Sequence, residues 1–390
     1  MEARRRICVV TGSRAEYGLL YWIIHDLGKC AEVELQLLVT GMHLAHEFGH
    51  TVREIEADGL PIAHRVEMLV SGNTASATAK SIALGVIGFS DAFERLRPDI
   101  VLVLGDRFEV FAAAQASLVH NLLLAHVCGG DTTEGAIDEA MRHGITKMAH
   151  LHFVTNELSA RRVRQLGEDP AAVHVVGNPG LDHLRRRPLL QRADLERSLG
   201  APLGRRNALV TFHPVTLEPK HGLDQLTEML AALEQLPEDV VLWCTRANAD
   251  AGGREISALL ERWVGSRPGA RLYDSLGTLR YLSLLAEVDM VVGNSSSGLY
   301  EAPSFRVPTV NIGARQGGRL SASSVLHASP TRASILEAMR TALAMDCSAT
   351  VNPYGDGHAA ERIVAQLLRV PLGPALRQKR FHMTNEAGPC

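Results

Sequence analysis

The chain has 390 residues, 46% of them hydrophobic, with 40 basic against 43 acidic side chains and a net charge of −3. That length is too great for one compact core and predicts two domains. Near-neutral, intermixed charge argues against a nucleic-acid or anionic-membrane partner, and no apolar run approaches the roughly 20 residues of a bilayer span.

In chain order, short β-branched runs alternate with helical patterns, which predicts parallel sheets covered by helices. The start MEARRRICVV has a basic beginning, but its apolar run breaks at Thr11-Gly12 and reads as a first strand, not a signal peptide. Strands are expected at Ile7–Val10, Val33–Val39, Ile100–Leu104, Leu122–Val127 and His152–Val154. Each ends in a loop rich in Gly, Ser, Asp or His, and in open α/β sheets such carboxyl ends converge on one crevice. The stretch Arg185–Arg206, basic and interrupted by Pro188 and Pro202, reads as an interdomain connection. A second set of strands follows at Ala208–Phe212, Val240–Cys244, Ala270–Tyr273, Met290–Val292 and Thr309–Ile312, then a last helix over Gly357–Leu368 and a loose tail beyond Val370. Six cysteines without a CxxC pair fit reduced thiols in a cytoplasmic protein.

The segment GNSSSGLYEAPSF, Gly293–Phe305, carries the sharpest signal. A buried strand leads through glycine, asparagine and serines into a helix start, whose free N–H groups and positive dipole end suit a phosphate. Glu301, one turn on, suits the vicinal hydroxyls of a ribose. With the basic run Arg315–Arg319, a nucleoside diphosphate is a better fit than a plain serine-rich cap.

A second constellation is acidic. Asp106, Asp131 and Asp138, with Glu109, Glu134 and Glu139 nearby, come from successive strand ends that the fold sets side by side, and clustered carboxylates raise one another's pKa toward neutrality. Asp106 tips an apolar strand and should face the crevice, whereas Glu134, Glu139 and Arg142 can equally be read as the exposed face of a helix over Ile137–Met148, the better reading for Glu139. His46–His50 matches HExxH but lacks the extension of the longer zinc motif, and it follows a strand end, so the match reads as accidental. His43, just after a strand, is a candidate ligand-facing or structural histidine. His150 and His152 read as packing. No metal and no cofactor are expected.

These residues carry a resemblance to the hydrolysing nucleotide-sugar 2-epimerases. SRAEYG at Ser13–Gly18, GMHL at Gly41–Leu44, GDRFE at Gly105–Glu109, AIDEAMRHGITKMAHLHF at Ala136–Phe153, HPVT at His213–Thr216, NADAGG at Asn248–Gly253, GNSSSG, and RQGGR at Arg315–Arg319 occur in the family's order. The resemblance implies two Rossmann-like domains of glycosyltransferase-B type with the active site in the cleft. Residues 1–184 would form the sugar-binding, catalytic domain and 185–356 the nucleotide domain, with 357–390 a helix returning toward the first domain plus the tail. It further implies a homodimer acting on UDP-N-acetylglucosamine to give N-acetylmannosamine and UDP, or on a UDP- or GDP-linked 2,4-diacetamido-2,4,6-trideoxy sugar.

Residue by residue, the resemblance puts Arg14, Ser295, Ser296, Ser297 and Gly298 at the diphosphate and Glu301 at the ribose. His213, Asn248 and Arg319 line the nucleotide side, and the base rests near Asp274–Thr278. Asp106, Asp131 and Asp138 carry the chemistry, with His43, Arg107 and Glu134 about the sugar. One departure stands out: relatives have an acid before Gly-Gly-acid, where this chain has Cys128. A glycosyltransferase would share the fold but need an acceptor, and a nucleotide-sugar sensor would not need so many carboxylates. Non-hydrolysing epimerases carry an HxEAGLRT-like segment that HVCGGDTTEGA does not resemble.

Overall fold

The computed structural model describes residues 4–72, 74–132, 137–215, 219–247 and 253–383. The chain divides into two compact units, Met1–His183 with Tyr354–Cys390, and Leu184–Pro353.

In the first unit the apolar, β-branched runs form β1 (Arg5–Thr11), β2 (Val33–Thr40), β3 (Ile62–Val66), β4 (Ile100–Leu104), β5 (Leu123–Val127), β6 (Leu151–Val154) and β7 (Val173–Val175). They pair in parallel in the order β3-β2-β1-β4-β5-β6-β7. Every residue of β4, β5 and β6 is buried, as expected where helices cover both faces of a parallel sheet. Strand order reverses between β1 and β4, so the loops leaving those two strands diverge and open a crevice.

The second unit repeats the plan with β8 (Arg206–Thr211), β9 (Val240–Thr245), β10 (Ala270–Tyr273), β11 (Met290–Gly293), β12 (Thr309–Ile312) and β13 (Val325–Ala328). Their order is β10-β9-β8-β11-β12-β13, again parallel, with the reversal between β8 and β11. Both sheets are Rossmann-like and doubly wound, as the resemblance implied. Three strands have no counterpart in the sequence reading: β3, β7 and β13. All are short strands at sheet edges, where only part of each strand is buried and no continuous apolar run marks it.

Two further expectations are corrected. Most of Arg185–Arg206 is not a linker: it contains a helix, Arg192–Leu199, and Leu195, Leu199 and Leu203 are buried in one cluster with Leu209 and Trp243. Nor is the described part of the tail, residues 371–383, loose. The helix Ala359–Arg369 buries Ala360, Ile363, Val364 and Leu367 in the same cluster as Leu20 and Leu27. Asp182 accepts from the N–H groups of Ala359 and Ala360 at 2.9 Å each, and Arg5 donates to the carbonyls of Leu367 and Val370 at the other end. An acid at the helix start and a base at its end complement the helix dipole. Beyond it, Lys379 and His382 hydrogen-bond to the first unit. Among the described residues no helix is long and apolar enough to cross a membrane.

Candidate active site

The loop after β1 is built by its own sequence. Ser13 caps the helix Arg14–Lys29, and Glu16 reaches back so that its Oε2 accepts from the N–H groups of Gly12 and Ser13 at 2.7 and 3.0 Å. This is a reciprocal capping box, so much of SRAEYG is local architecture. Burial, with Glu109 adding to it, pushes the Glu16 carboxyl up to about 8. Arg14 itself is exposed, its Nε 3.1 Å from Glu54 Oε2.

His43 does not face a ligand. It is fully buried, its Nε2 3.1 Å from Thr11 Oγ1 and its Nδ1 2.8 Å from Thr51 Oγ1, and burial holds its imidazole down to about 4. It fastens the Gly41–Leu44 turn to β1. His46 and His50 do not sit on an α-helix: His46–Phe48 is a short 3-10 turn that ends at Gly49 with φ of 86°. The α-helix that presents the two histidines in a zinc site is therefore missing, and among the described residues no group of three His, Cys, Asp or Glu is placed to hold a metal.

The ends of β4 and β5 gather the acids. Asp106 follows β4 and pairs with Arg142, whose guanidinium Nη2 donates to Asp106 Oδ2. Burial raises the Asp106 carboxyl, Arg142 opposes that, and the charge of Asp138 adds to it. Arg142 thus corrects the sequence reading: it is 8% exposed, one turn along the helix Ile137–Met148 from Asp138. The i, i+4 spacing of Asp138 and Arg142 was the available signal, since residues so spaced share a helix face. Glu139 lies elsewhere on the helix, 3.1 Å from His143 Nε2. Arg107 donates to Glu109 Oε1 at 2.9 Å; Glu109 is fully buried.

Asp131 is set by the glycines before it. A side chain on Gly130, whose φ is 76°, would put its Cβ 2.3 Å from the carbonyl oxygen of Ser159, so the chain passes this close only as glycine. The approach lets Asp131 Oδ1 accept from Thr155 Oγ1 at 2.8 Å and Ser159 Oγ at 2.5 Å. Asp131 Oδ2 and Asp106 Oδ1 make no hydrogen bond among the described residues. Cys128 has a φ of 62° and its thiol is driven upward by burial and then by the charge of Asp131, with Arg142 and Asp106 also felt. Asp106, Asp131, Asp138, Arg142 and Cys128 therefore form one cluster. Glu134 lies outside the described residues, as does Asn248 in the second unit.

In the second unit the reversal is closed by Asn294. Its Oδ1 accepts from His213 N–H at 2.7 Å and its Nδ2 donates to His213 O at 2.8 Å, tying the loop after β8 to the loop after β11. A Cβ on Gly293 would fall 1.9 Å from Thr211 O. Arg315 Nη1 and Gln316 Nε2 donate to Asn294 O, and Arg319 donates to Gln316 Oε1 while lying 5.4 Å from the Tyr300 ring.

The serine segment differs from expectation in one respect. The helix it opens is a single turn, Ser297–Tyr300, followed by a 3-10 turn, so little dipole accumulates. Ser297 Oγ is taken by Tyr281 Oη at 2.7 Å, and Gly298 packs against Thr309, whose Cγ2 lies 2.6 Å from where a Cβ would be. What remains for an anion are the N–H groups of Ser295 and Ser296, which donate to nothing among the described residues. Glu301 Oε2 is buried without a hydrogen-bond partner among them, and burial, opposed by Ser297, lifts this carboxyl to about 7.

Two Rossmann-like units, one with a carboxylate cluster and one with a hydroxyl-rich turn at the strand reversal, are the build of a nucleotide-sugar enzyme. Residues 25–368 match the UDP-N-acetylglucosamine 2-epimerase family, and the chain belongs to that family. It is an enzyme of the hydrolysing 2-epimerase type. It is 38% identical over 325 residues, 83% of this chain and 84% of the other, to the GDP/UDP-N,N'-diacetylbacillosamine 2-epimerase (hydrolyzing) of Campylobacter jejuni. It is 34% identical to the UDP-N,N'-diacetylbacillosamine 2-epimerase (hydrolyzing) of Legionella pneumophila, over 96% of this chain and 98% of that one. The fold matches a crystal structure of UDP-GlcNAc 2-epimerase from Neisseria meningitidis bound to UDP-GlcNAc, with a TM-score of 0.75, 19% identity, and 94% and 100% of the two chains covered.

Proposed function

We propose that this chain takes a nucleotide-linked N,N'-diacetylbacillosamine and water to the free C2 epimer and the nucleoside diphosphate. The observation that carries the sugar is the pair of relatives named for it, each at least 34% identical to this chain. The second reading is UDP-N-acetylglucosamine, the substrate in the family's name.

The chemistry follows from the two residue sets. A base removes the C2 proton, the C1–O bond to the diphosphate breaks, and a C1=C2 double bond forms. Water then adds its oxygen to C1 while an acid returns a proton to C2 on the opposite face. We assign the two proton transfers to Asp106 and Asp131, whose free oxygens Oδ1 and Oδ2 are available to a sugar; Asp138 and Arg142 tune Asp106. Unequal surroundings, an arginine and a neighbouring acid for one and two hydroxyls for the other, are how a carboxylate pair separates its roles. The leaving diphosphate gains negative charge, which the N–H groups of Ser295 and Ser296, with Arg319 and Arg14, stabilise without reorganising. Glu301 holds the ribose.

The test is incubation with UDP- and GDP-linked diacetylbacillosamine and with UDP-N-acetylglucosamine in heavy water. Free sugar carrying one deuterium at C2 with inverted configuration is expected, fastest with a diacetamido substrate. Preference for UDP-N-acetylglucosamine would overturn the sugar assignment, and release of unlabelled, uninverted sugar would overturn the elimination.

A further inference from the structure

The helix Ile137–Met148 carries Asp138 in its first turn and Arg142 on Asp106, yet it is weakly anchored by apolar contact. Its buried residues are Arg142, Ile145 and Thr146, and with Met148 packed partly buried against the cluster that holds Ile145, its apolar seat is confined to the C-terminal half. With so little apolar surface to seat it, polar ties decide where the helix lies along its own axis. Midway along the helix the tie is Arg142 to Asp106. In the last turn, Thr146 Oγ1 meets His126 Nδ1 at 3.1 Å, and His126 Nε2 meets Gly105 O at 2.7 Å, just before Asp106.

The far end is held by the end of the chain. Lys379 Nζ donates to the carbonyls of Thr146 at 3.4 Å, Lys147 at 2.5 Å, and Ala149. These are the terminal acceptors a helix leaves unsatisfied, and an ammonium there also meets the negative end of the dipole. The same ammonium lies 2.6 Å from Glu168 Oε2, and Glu168, 2% exposed at its side chain, also takes Lys147 Nζ at 2.8 Å and His152 Nε2 at 3.0 Å. Phe381 covers Gly167, where a Cβ would fall 2.4 Å from its ring, and sits 4.6 Å from the Lys147 ammonium. His382 N–H donates to Gly167 O at 2.9 Å. Five residues of tail thus reach the last turn of the helix, its lysine, and the loop carrying Glu168.

We propose that residues 379–383 form a strap that sets the axial position of the Ile137–Met148 helix, with Lys379 as a positioning residue for Arg142 at mid-helix and Asp138 in the first turn. The proposal rests on the assignment of the chemistry to Asp106, Asp131 and Asp138. Thr146, the first residue the strap touches, lies roughly 12 Å along the helix from Asp138 and roughly 6 Å from Arg142, spans a rigid helix transmits as a shift along its axis.

The test uses two proteins: the full chain with Lys379→Met, which keeps the stem and deletes the ammonium, and a chain ending at Gln378. Amide hydrogen exchange across 137–148 should accelerate about tenfold or more in both, since an untied helix end opens more readily. Turnover should fall about 10- to 100-fold with KM and UDP affinity changed less than about twofold, because misplacing a catalytic group costs rate before binding. Should the shortened chain fail to fold, Lys379→Met carries the test alone. Unchanged exchange across 137–148 overturns the strap. Faster exchange with unchanged turnover overturns its positioning role. Full turnover in Asp106→Asn and Asp131→Asn variants of the intact chain, by contrast, sinks the catalytic assignment whatever the exchange shows.

Discussion

Glu301 offers a prediction in which sign and size both come from its surroundings. Its carboxyl is lifted from 4.5 to about 7 by burial, and its Oε2 has no hydrogen-bond partner among the described residues. A raised folded value means the folded protein binds this proton more tightly than the unfolded chain. The resulting stability is complete below about pH 4 and lost as pH rises through about 7, leaving the ionised group some 3 kcal/mol less well placed than in water. A ribose hydroxyl supplies the donor that Oε2 lacks, so binding should favour the ionised form. Affinity for UDP should be flat above pH 7 and weaken about tenfold by pH 6, with about one proton released per UDP bound at the lower pH. UDP titrates near pH 6 as well, so Glu301→Gln is the control that isolates the protein group. Glu301→Ala should weaken UDP at pH 8 by about 1.5 to 3 kcal/mol, the worth of charge-assisted hydrogen bonds. Calorimetry at pH 6, 7 and 8 in two buffers of different ionisation enthalpy counts both affinity and protons. Identical pH dependence in wild type and Glu301→Gln, or full affinity in Glu301→Ala, would refute the ribose assignment.

Further outcomes are expected elsewhere. Asp106→Asn and Asp131→Asn should each lower turnover by roughly 100-fold or more while UDP affinity changes little, measured by release of nucleoside diphosphate. Arg142→Met removes the stronger of the two charges, Arg142 and Arg107, that hold the Asp106 carboxyl down against burial and Asp138, so the acidic limb of the pH–rate profile should move to higher pH; an unmoved limb would assign that limb to another group. Gly293→Ala pushes a Cβ to 1.9 Å from Thr211 O at a φ of 140° and should cost several kcal/mol of stability, read as a fall in melting temperature with loss of UDP binding.

The interior parallel strands were readable because burial on both faces demands an unbroken apolar run, as in β4, whose five residues IVLVL match the expected Ile100–Leu104. Turn chemistry was readable for a similar reason: Gly130 and Gly293 stand where no side chain fits, and the loops that hold Asp131 and Ser295 follow directly. Edge strands such as β3 and β13 escaped, since a half-exposed strand needs no such run. What local pattern could not settle was which polar groups meet. Arg142 reads as surface until the fold brings Asp106, 36 residues away, against it, and His43 reads as either ligand-facing or structural until Thr11 and Thr51 close on both its nitrogens. The tail reads as loose because proline and polar residues promise no core, yet Lys379 finds helix carbonyls more than 200 positions earlier in the chain. Apolar periodicity and backbone sterics are properties of neighbouring residues and are written in the sequence itself, whereas the partner of a buried charge is chosen by the packed chain, because only there does desolvation make an unpaired charge costly.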